Sequence, residues 1–193
     1  SRLQNYFKSR ARHNAKDQDL GTYPVHSYDS VQDGFCDERF WPYDISKVYT
    51  APDAQALRHS FDQSHEGLAL RDGTKLSTWE HKQLRLSDDG DEREQQSKQV
   101  VASDLGVAVG LDVDQGFQDY TNGIWRYRGP SKGRHYVLIT RFTPYAAYCR
   151  SSWGARYGEE GGIWVAWSEI RNPRLCTDPM VLLRLPLTSD SMA

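Results

Sequence analysis

GRHYVLITRF at residues 133–142, RSSWG at 150–154 and GGIWVAW at 161–167 decide how this chain is read. Residues 135–142, 145–150 and 162–167 are short runs rich in β-branched and aromatic side chains, separated by Gly, Pro and Ser, which is the pattern of successive strands. GVAVGLDV at 106–113 is a further buried strand, and residues 181–187 add a last one. Close spacing makes these strands antiparallel neighbours. Because they follow a helical first half, the expected class is α+β with segregated parts. Taken singly, a His at the head of an apolar strand is a satisfied structural residue, and the glycines are turn chemistry.

Working back towards residue 1, Leu3, Tyr6, Phe7 and Arg10 recur at helical spacing within residues 1–18. Gly21 and Pro24 punctuate a loop, residues 28–34 form a second short helix stopped by Gly34, and residues 40–44 (FWPYD) make a rigid aromatic turn that packs on the domain. Residues 52–61 read as a helix with Pro near its start, and residues 68–70 and 84–86 as short strands. Residues 87–98 are highly charged, and their first half (Asp88, Asp89, Gly90, Asp91) reads as a solvated loop. The three aspartates imitate a calcium loop, but no Glu follows at the position that the EF-hand pattern of about twelve residues requires, so no metal site is expected.

A length of 193 residues fits one domain with a sizeable core. A net charge of −2 lacks the basic excess that a general nucleic-acid or anionic-membrane binder needs. No apolar run approaches the roughly 18 residues of a membrane span. There is no secretory leader pattern at Ser1 and no initiator Met, so residue 1 reads as a processed or internal position. Cys36, Cys149 and Cys176 have no CxxC partner or His-rich neighbour, which excludes a zinc motif and favours free thiols over a disulfide framework. His13, His26, His59, His65 and His81 show no ligand spacing, and Arg2, Lys8, Arg10 and Arg12 read as a solvated basic face. No cofactor is expected.

Taken together, the motifs become specific. A strand, then Phe117-Gln118-Asp119-Tyr120-Thr121-Asn122-Gly123-Ile124-Trp125, then Gly133-Arg134-His135, then Ser151-Ser152-Trp153-Gly154 and Tyr157-Gly158 follow in order. The series resembles the papain family of cysteine peptidases, whose pattern runs F-x-x-Y-x-x-G-I-Y, Gly-x-His, N-S-W-G-x-x-W-G. Gly34-Phe35-Cys36-Asp37-Glu38 with Trp41-Pro42-Tyr43-Asp44, and Ser1-Arg2-Leu3 with Tyr6-Phe7, resemble segments of a branch found in microbes and large viruses, where they follow the catalytic helix. The resemblance implies one papain-like domain over residues 1–193: residues 1–50 a remnant of the helical part, 51–98 variable loops, and 99–193 the β-rich half.

The resemblance also implies chemistry. In the family a thiolate at a helix N-terminus attacks the peptide carbonyl, a Gln side chain and a backbone N–H hold the oxyanion, and an Asn orients the histidine. His135 takes the histidine role here, Trp153 shields the bond behind its ring, and Ser151 stands where the family has Asn. Ser151 is shorter and lacks a carboxamide oxygen, but its hydroxyl can still accept a ring N–H directly or through water. The family's Cys and Gln would lie upstream of residue 1. Cys36 is the internal candidate for nucleophile, through Gln32-Asp33-Gly34-Phe35-Cys36. Against it, the Gln–Cys gap is too short and Trp41-Pro42 interrupts any helix that would follow.

The expected function is therefore a papain-like homologue, inactive as this chain, acting as a structural or binding module in a larger assembly such as a virion. The alternative is an active cysteine endopeptidase whose Cys and Gln segment lies upstream of Ser1 or in another chain. Partners are expected to be protein or peptide. Another chain or a further N-terminal segment is expected to cover the inner face of the β half, since bare strands of this kind aggregate.

Overall fold

In the computed structural model, residues 1–12, 14–17, 22–32, 34, 36–64 and 79–186 are described. The sequence readings at His13, Gly21, Asp33, Phe35, His65, Leu68-Ala69-Leu70 and Leu187 lie outside these residues, as do the side chains of Gln32 and His81. The chain is α+β and groups into two compact units, one of residues 1–81 with 184–193 and one of residues 82–183.

The first unit is helical: α1 (Arg2–Arg12), α2 (Pro24–Gln32), a 3-10 turn (Ile45–Lys47) and α3 (Ala54–Ser64). Pro24 does not sit in a loop but opens α2, where its missing N–H costs nothing and its fixed φ suits the first helical turn. Gly34 follows that helix at φ 69°, the left-handed geometry in which glycine ends helices without strain. α3 starts two residues after Pro52, and Asp53 caps it, its carboxylate accepting from the Ala56 N–H at 2.8 Å. Leu3, Cys36, Trp41, Val48 and Ala56 make the core.

Of the basic residues of α1, Arg2 and Arg12 are exposed, whereas Lys8 and Arg10 turn inward and do not belong to a solvated face. Arg10 is fully buried and its guanidinium donates to the Val48 carbonyl while lying 4.3 Å from the Tyr6 ring centre. Lys8 Nζ donates to the Gly34 carbonyl at 2.6 Å and to Ser60 Oγ at 2.7 Å. Arg2 pairs with Glu38 at 2.6 Å. Long aliphatic stems let Lys8 and Arg10 reach acceptors inside the unit, whereas the Arg2–Glu38 pair lies at the surface.

The second unit carries β1 (Trp79–Arg85) from residue 82 on, α4 (Gly90–Ala102), β2 (Val107–Val113), α5 (Gln115–Gln118), β3 (Ile124–Trp125), β4 (Gly133–Phe142), β5 (Ala146–Arg150), β6 (Gly162–Ala166), α6 (Trp167–Arg171) and β7 (Cys176–Pro186) up to residue 183. The sheet runs β1-β7-β2-β4-β5-β6-β3. β4 lies between β2 and β5, antiparallel to both, whereas the two-residue β3 joins β6 in parallel. Period-two alternation sends Val107, Val109, Leu111 and Val113 of β2, with Val137 and Ile139 of β4, to one buried face, each at most 3% exposed. Burying each such side chain contributes roughly 1.5–3 kcal/mol.

Residues 88–91 are a helix start and not a free loop. The Asp89 carboxylate accepts from the N–H groups of Asp91 and Glu92 and caps α4. Asp88 pairs with Arg85 at 3.0 Å, and Asp91 with Arg171 at 3.3 Å. The inward stripe of α4 is Arg93, Ser97 and Val101. Arg93 donates to four backbone carbonyls, those of Ser87, Asp88, Ile170 and Cys176, at 2.8–3.2 Å. Those bonds satisfy the guanidinium without a carboxylate.

Candidate active site

The site grows from the end of β2 and the start of β4. Register sets His135 opposite Leu111, and alternation gives it the same face as Val137 and Ile139. His135 is the outermost member of that row, so its ring emerges at the strand's end, part-buried. Nε2 lies 3.0 Å from Ser151 Oγ. Ser151 follows the last residue of β5 and is held by its own N–H, which donates to the Gly161 carbonyl at 2.9 Å. Its hydroxyl also accepts from the Trp153 N–H at 3.3 Å. The Ser151 contact expected from sequence is therefore direct.

Aromatic rings close around the imidazole. Trp153 lies against it with ring centres 4.6 Å apart and planes tilted by 31°. Phe117, from α5, meets His135 edge-on at 6.0 Å and Trp153 at 5.5 Å. Phe117 also meets Trp125 at 5.3 Å, and Tyr157 approaches Trp153 at 4.7 Å. The Tyr157 hydroxyl donates to the Phe117 carbonyl. The loop that carries these rings turns at Gly158, whose φ of 53° and whose position, with a Cβ placed only 2.2 Å from the Gly162 carbonyl, admit no side chain. Trp153 itself stays 43% exposed, so it covers the ring from the solvent side.

Burial is what shifts His135: it lowers the imidazole from 6.5 to about 4, because an apolar cage penalises the cation. The isolated site thus holds a neutral ring at neutral pH. Burial also pushes up all three thiols. Cys36 is raised, Cys149 is raised well above 9, and Cys176 reaches about 11. Cys36 belongs to the first unit, fully buried beyond the end of α2, with its N–H donating to Gln4 Oε1 at 2.6 Å. That position is past a helix C-terminus, where the backbone cannot stabilise a thiolate as a helix N-terminus does. Cys149 pairs with Ile139 and Ile163 inside the sheet.

Asp114 is a site residue that sequence reasoning misses. It is 2% exposed and follows β2 as the cap of α5. Oδ1 accepts from the Phe117 N–H at 2.9 Å and the Trp125 indole N–H at 3.0 Å, while Oδ2 accepts from the Arg128 N–H at 2.7 Å. Burial opposes its ionisation, but these donors outweigh it and hold the carboxyl below its usual range. The one signal in the sequence is an Asp three residues before Phe117 at a strand end, a capping pattern too short to stand out. Among the described residues, no group of His, Cys, Asp and Glu is arranged to hold a metal ion, and no helix is long and apolar enough to cross a membrane.

A mostly antiparallel sheet thus presents a histidine caged by aromatic rings and engaged by a hydroxyl from the end of the next strand. Residues 15–177 match the model of the papain family of cysteine proteases, and the chain belongs to that family. Its fold is similar to that of xylellain, a cysteine protease from Xylella fastidiosa, with a TM-score of 0.70 and 21% identity over 94% of this chain and 69% of that one. It is also similar to the cysteine protease CMS1MS2 of Carica candamarcensis, solved in complex with E-64, with a TM-score of 0.62 and 15% identity over 96% of this chain and 76% of that one. No curated protein matches.

Proposed function

We propose that this chain supplies the proton-carrying half of a cysteine endopeptidase site, with His135 as general base and acid and the thiolate provided by residues outside 1–193. The observation that carries the reading is the 3.0 Å contact between His135 Nε2 and Ser151 Oγ under the Trp153 ring. One ring nitrogen is thereby engaged from behind, leaving Nδ1 to exchange a proton with a thiol and then with the leaving amine. Ser151 is a positioning residue in this scheme. Its hydroxyl meets Nε2 and also accepts from the Trp153 N–H, which suits a group that orients the ring.

Burial of all three thiols in the chain favours a second reading, a binding module within a larger assembly. Its contact surface would include the exposed Leu138, Phe142 and Tyr145 of the β4–β5 hairpin. A thiol-reactive, peptide-mimicking probe applied to the protein as isolated from its source separates the two. Labelling that disappears in His135→Ala supports the peptidase. Absence of labelling, with partner capture unchanged in His135→Ala, sinks it in favour of the binding module.

A further inference from the structure

We infer that Asp114, which does not touch the histidine, is the positioning residue that holds the aromatic wall around His135 and so sets how deeply the imidazole is buried. Its functional meaning rests on His135 being the proton carrier proposed above, but the geometry stands without that assignment. Both oxygens of the carboxylate are used. Oδ1 is shared between the backbone of Phe117 and the side chain of Trp125, and Oδ2 clamps the backbone at Arg128. One buried anion therefore ties three places together: the end of β2, the helical turn bearing Phe117, and the segment that runs on from β3.

Phe117 is where this anchoring meets the histidine. Its ring touches Trp125 on one side and His135, Trp153 and Tyr157 on the others. α5 is four residues long and has too few internal hydrogen bonds to fix its own orientation. The aim of the Phe117 ring thus depends on its cap. Trp125 braces the same ring edge-on, and its indole N–H ends on the same carboxylate oxygen. Charge-assisted bonds of this kind are stronger than neutral ones, and their loss leaves buried donors unpaired.

The consequence is a change in the histidine's proton affinity without any contact to it. The titratable groups on the elements around the ring include Asp112 after Leu111, Asp114 itself, Arg134 and Tyr136 on β4, Cys149 and Arg150 on β5, and Tyr157. None of them is among the causes of the His135 shift, which comes from burial. Loosening the wall admits water and moves the ring back towards 6.5, whereas a purely structural role would lower stability and leave the midpoint where it is.

The test is an NMR titration of the His135 ring in the full chain. Asp114→Asn keeps the size of the side chain but sets an amide donor against an N–H donor. Trp125→Phe keeps a ring against Phe117 and removes the indole N–H. The expected result is a His135 midpoint raised by about one pH unit or more in Asp114→Asn, and raised by less in Trp125→Phe. A folded Asp114→Asn with an unchanged midpoint overturns the inference. If that variant fails to fold, an unchanged midpoint in Trp125→Phe overturns it instead. Probe labelling is not needed for this readout, so a failed peptidase reading and a failed Asp114 reading are told apart.

Discussion

Acidification should destabilise the second unit through His135 before its carboxylates respond. In the unfolded chain the imidazole titrates near 6.5, and in the folded site at about 4. Because the folded value is depressed, protons bind the unfolded state more tightly. The stabilisation is complete above pH 6.5 and is lost progressively as the pH falls to about 4. A difference of about 2.5 units at about 1.36 kcal/mol per unit gives about 3 kcal/mol, an upper figure because the ring retains some contact with water. That is a large share of a typical domain's stability. Asp114, whose carboxyl is depressed, gives way in a separate window below its ordinary 3.8. Urea denaturation followed by Trp fluorescence, between about pH 7.5 and about pH 4.5, measures the loss in the wild type and in His135→Phe, which keeps an aromatic ring but cannot titrate. The wild type should lose most of about 3 kcal/mol beyond what the variant loses. Parallel curves for the two proteins, or an imidazole resonance that titrates near 6.5, would refute the reasoning.

Two further substitutions probe the support behind the ring. Ser151→Ala leaves a part-buried ring nitrogen without its partner and should cost about 1–2 kcal/mol in urea denaturation, with Ser151→Thr recovering most of it because the hydroxyl is kept; equal midpoints for Ala and wild type would contradict a direct Ser151–His135 bond. Gly158→Ala imposes a Cβ at φ 53° within 2.2 Å of the Gly162 carbonyl and should cost at least about 2 kcal/mol, read as a lowered melting midpoint. An unchanged midpoint there would mean that the 151–161 loop is not held in this conformation.

The parts of the fold that are legible in the sequence are the strands. β2 and β4 send apolar side chains to a buried face in alternation, and β5 and β6 are short, almost continuously buried runs bounded by turn residues. α4 is hidden because its buried stripe is Arg93, Ser97 and Val101, polar at two of its three positions. The stripe has helical spacing but no apolar signature, since Arg93 is satisfied by carbonyls and not by packing. Likewise Asp89 and Pro24 look like loop residues because the types that open helices also populate turns. At the site, His135, Ser151 and Trp153 are legible through their order along the chain. Asp114 is not, because its role consists of hydrogen bonds to Phe117, Trp125 and Arg128 that no local pattern encodes.

A histidine lowered to about 4 looks unsuited to a reaction that needs an imidazolium, and the size of the missing interaction resolves the conflict. A thiolate placed roughly 4 Å from the ring contributes about 4 kcal/mol of attraction at an effective dielectric of about 20. Divided by about 1.36 kcal/mol per unit, that is a rise of about 3 units, which returns the ring to about 7. The proton then belongs to the pair and not to either partner. The Trp153 and Phe117 rings that make His135 a weak base by itself also exclude the water that would screen such a pair. Under the proposed function the apolar cage therefore acts as a condition: the ring is charged when its thiolate is in place and neutral when it is not. Loss of probe labelling in His135→Ala is the signature expected of that dependence, whereas a Ser151 hydroxyl, with no charge to offer, could not raise the ring into the working range.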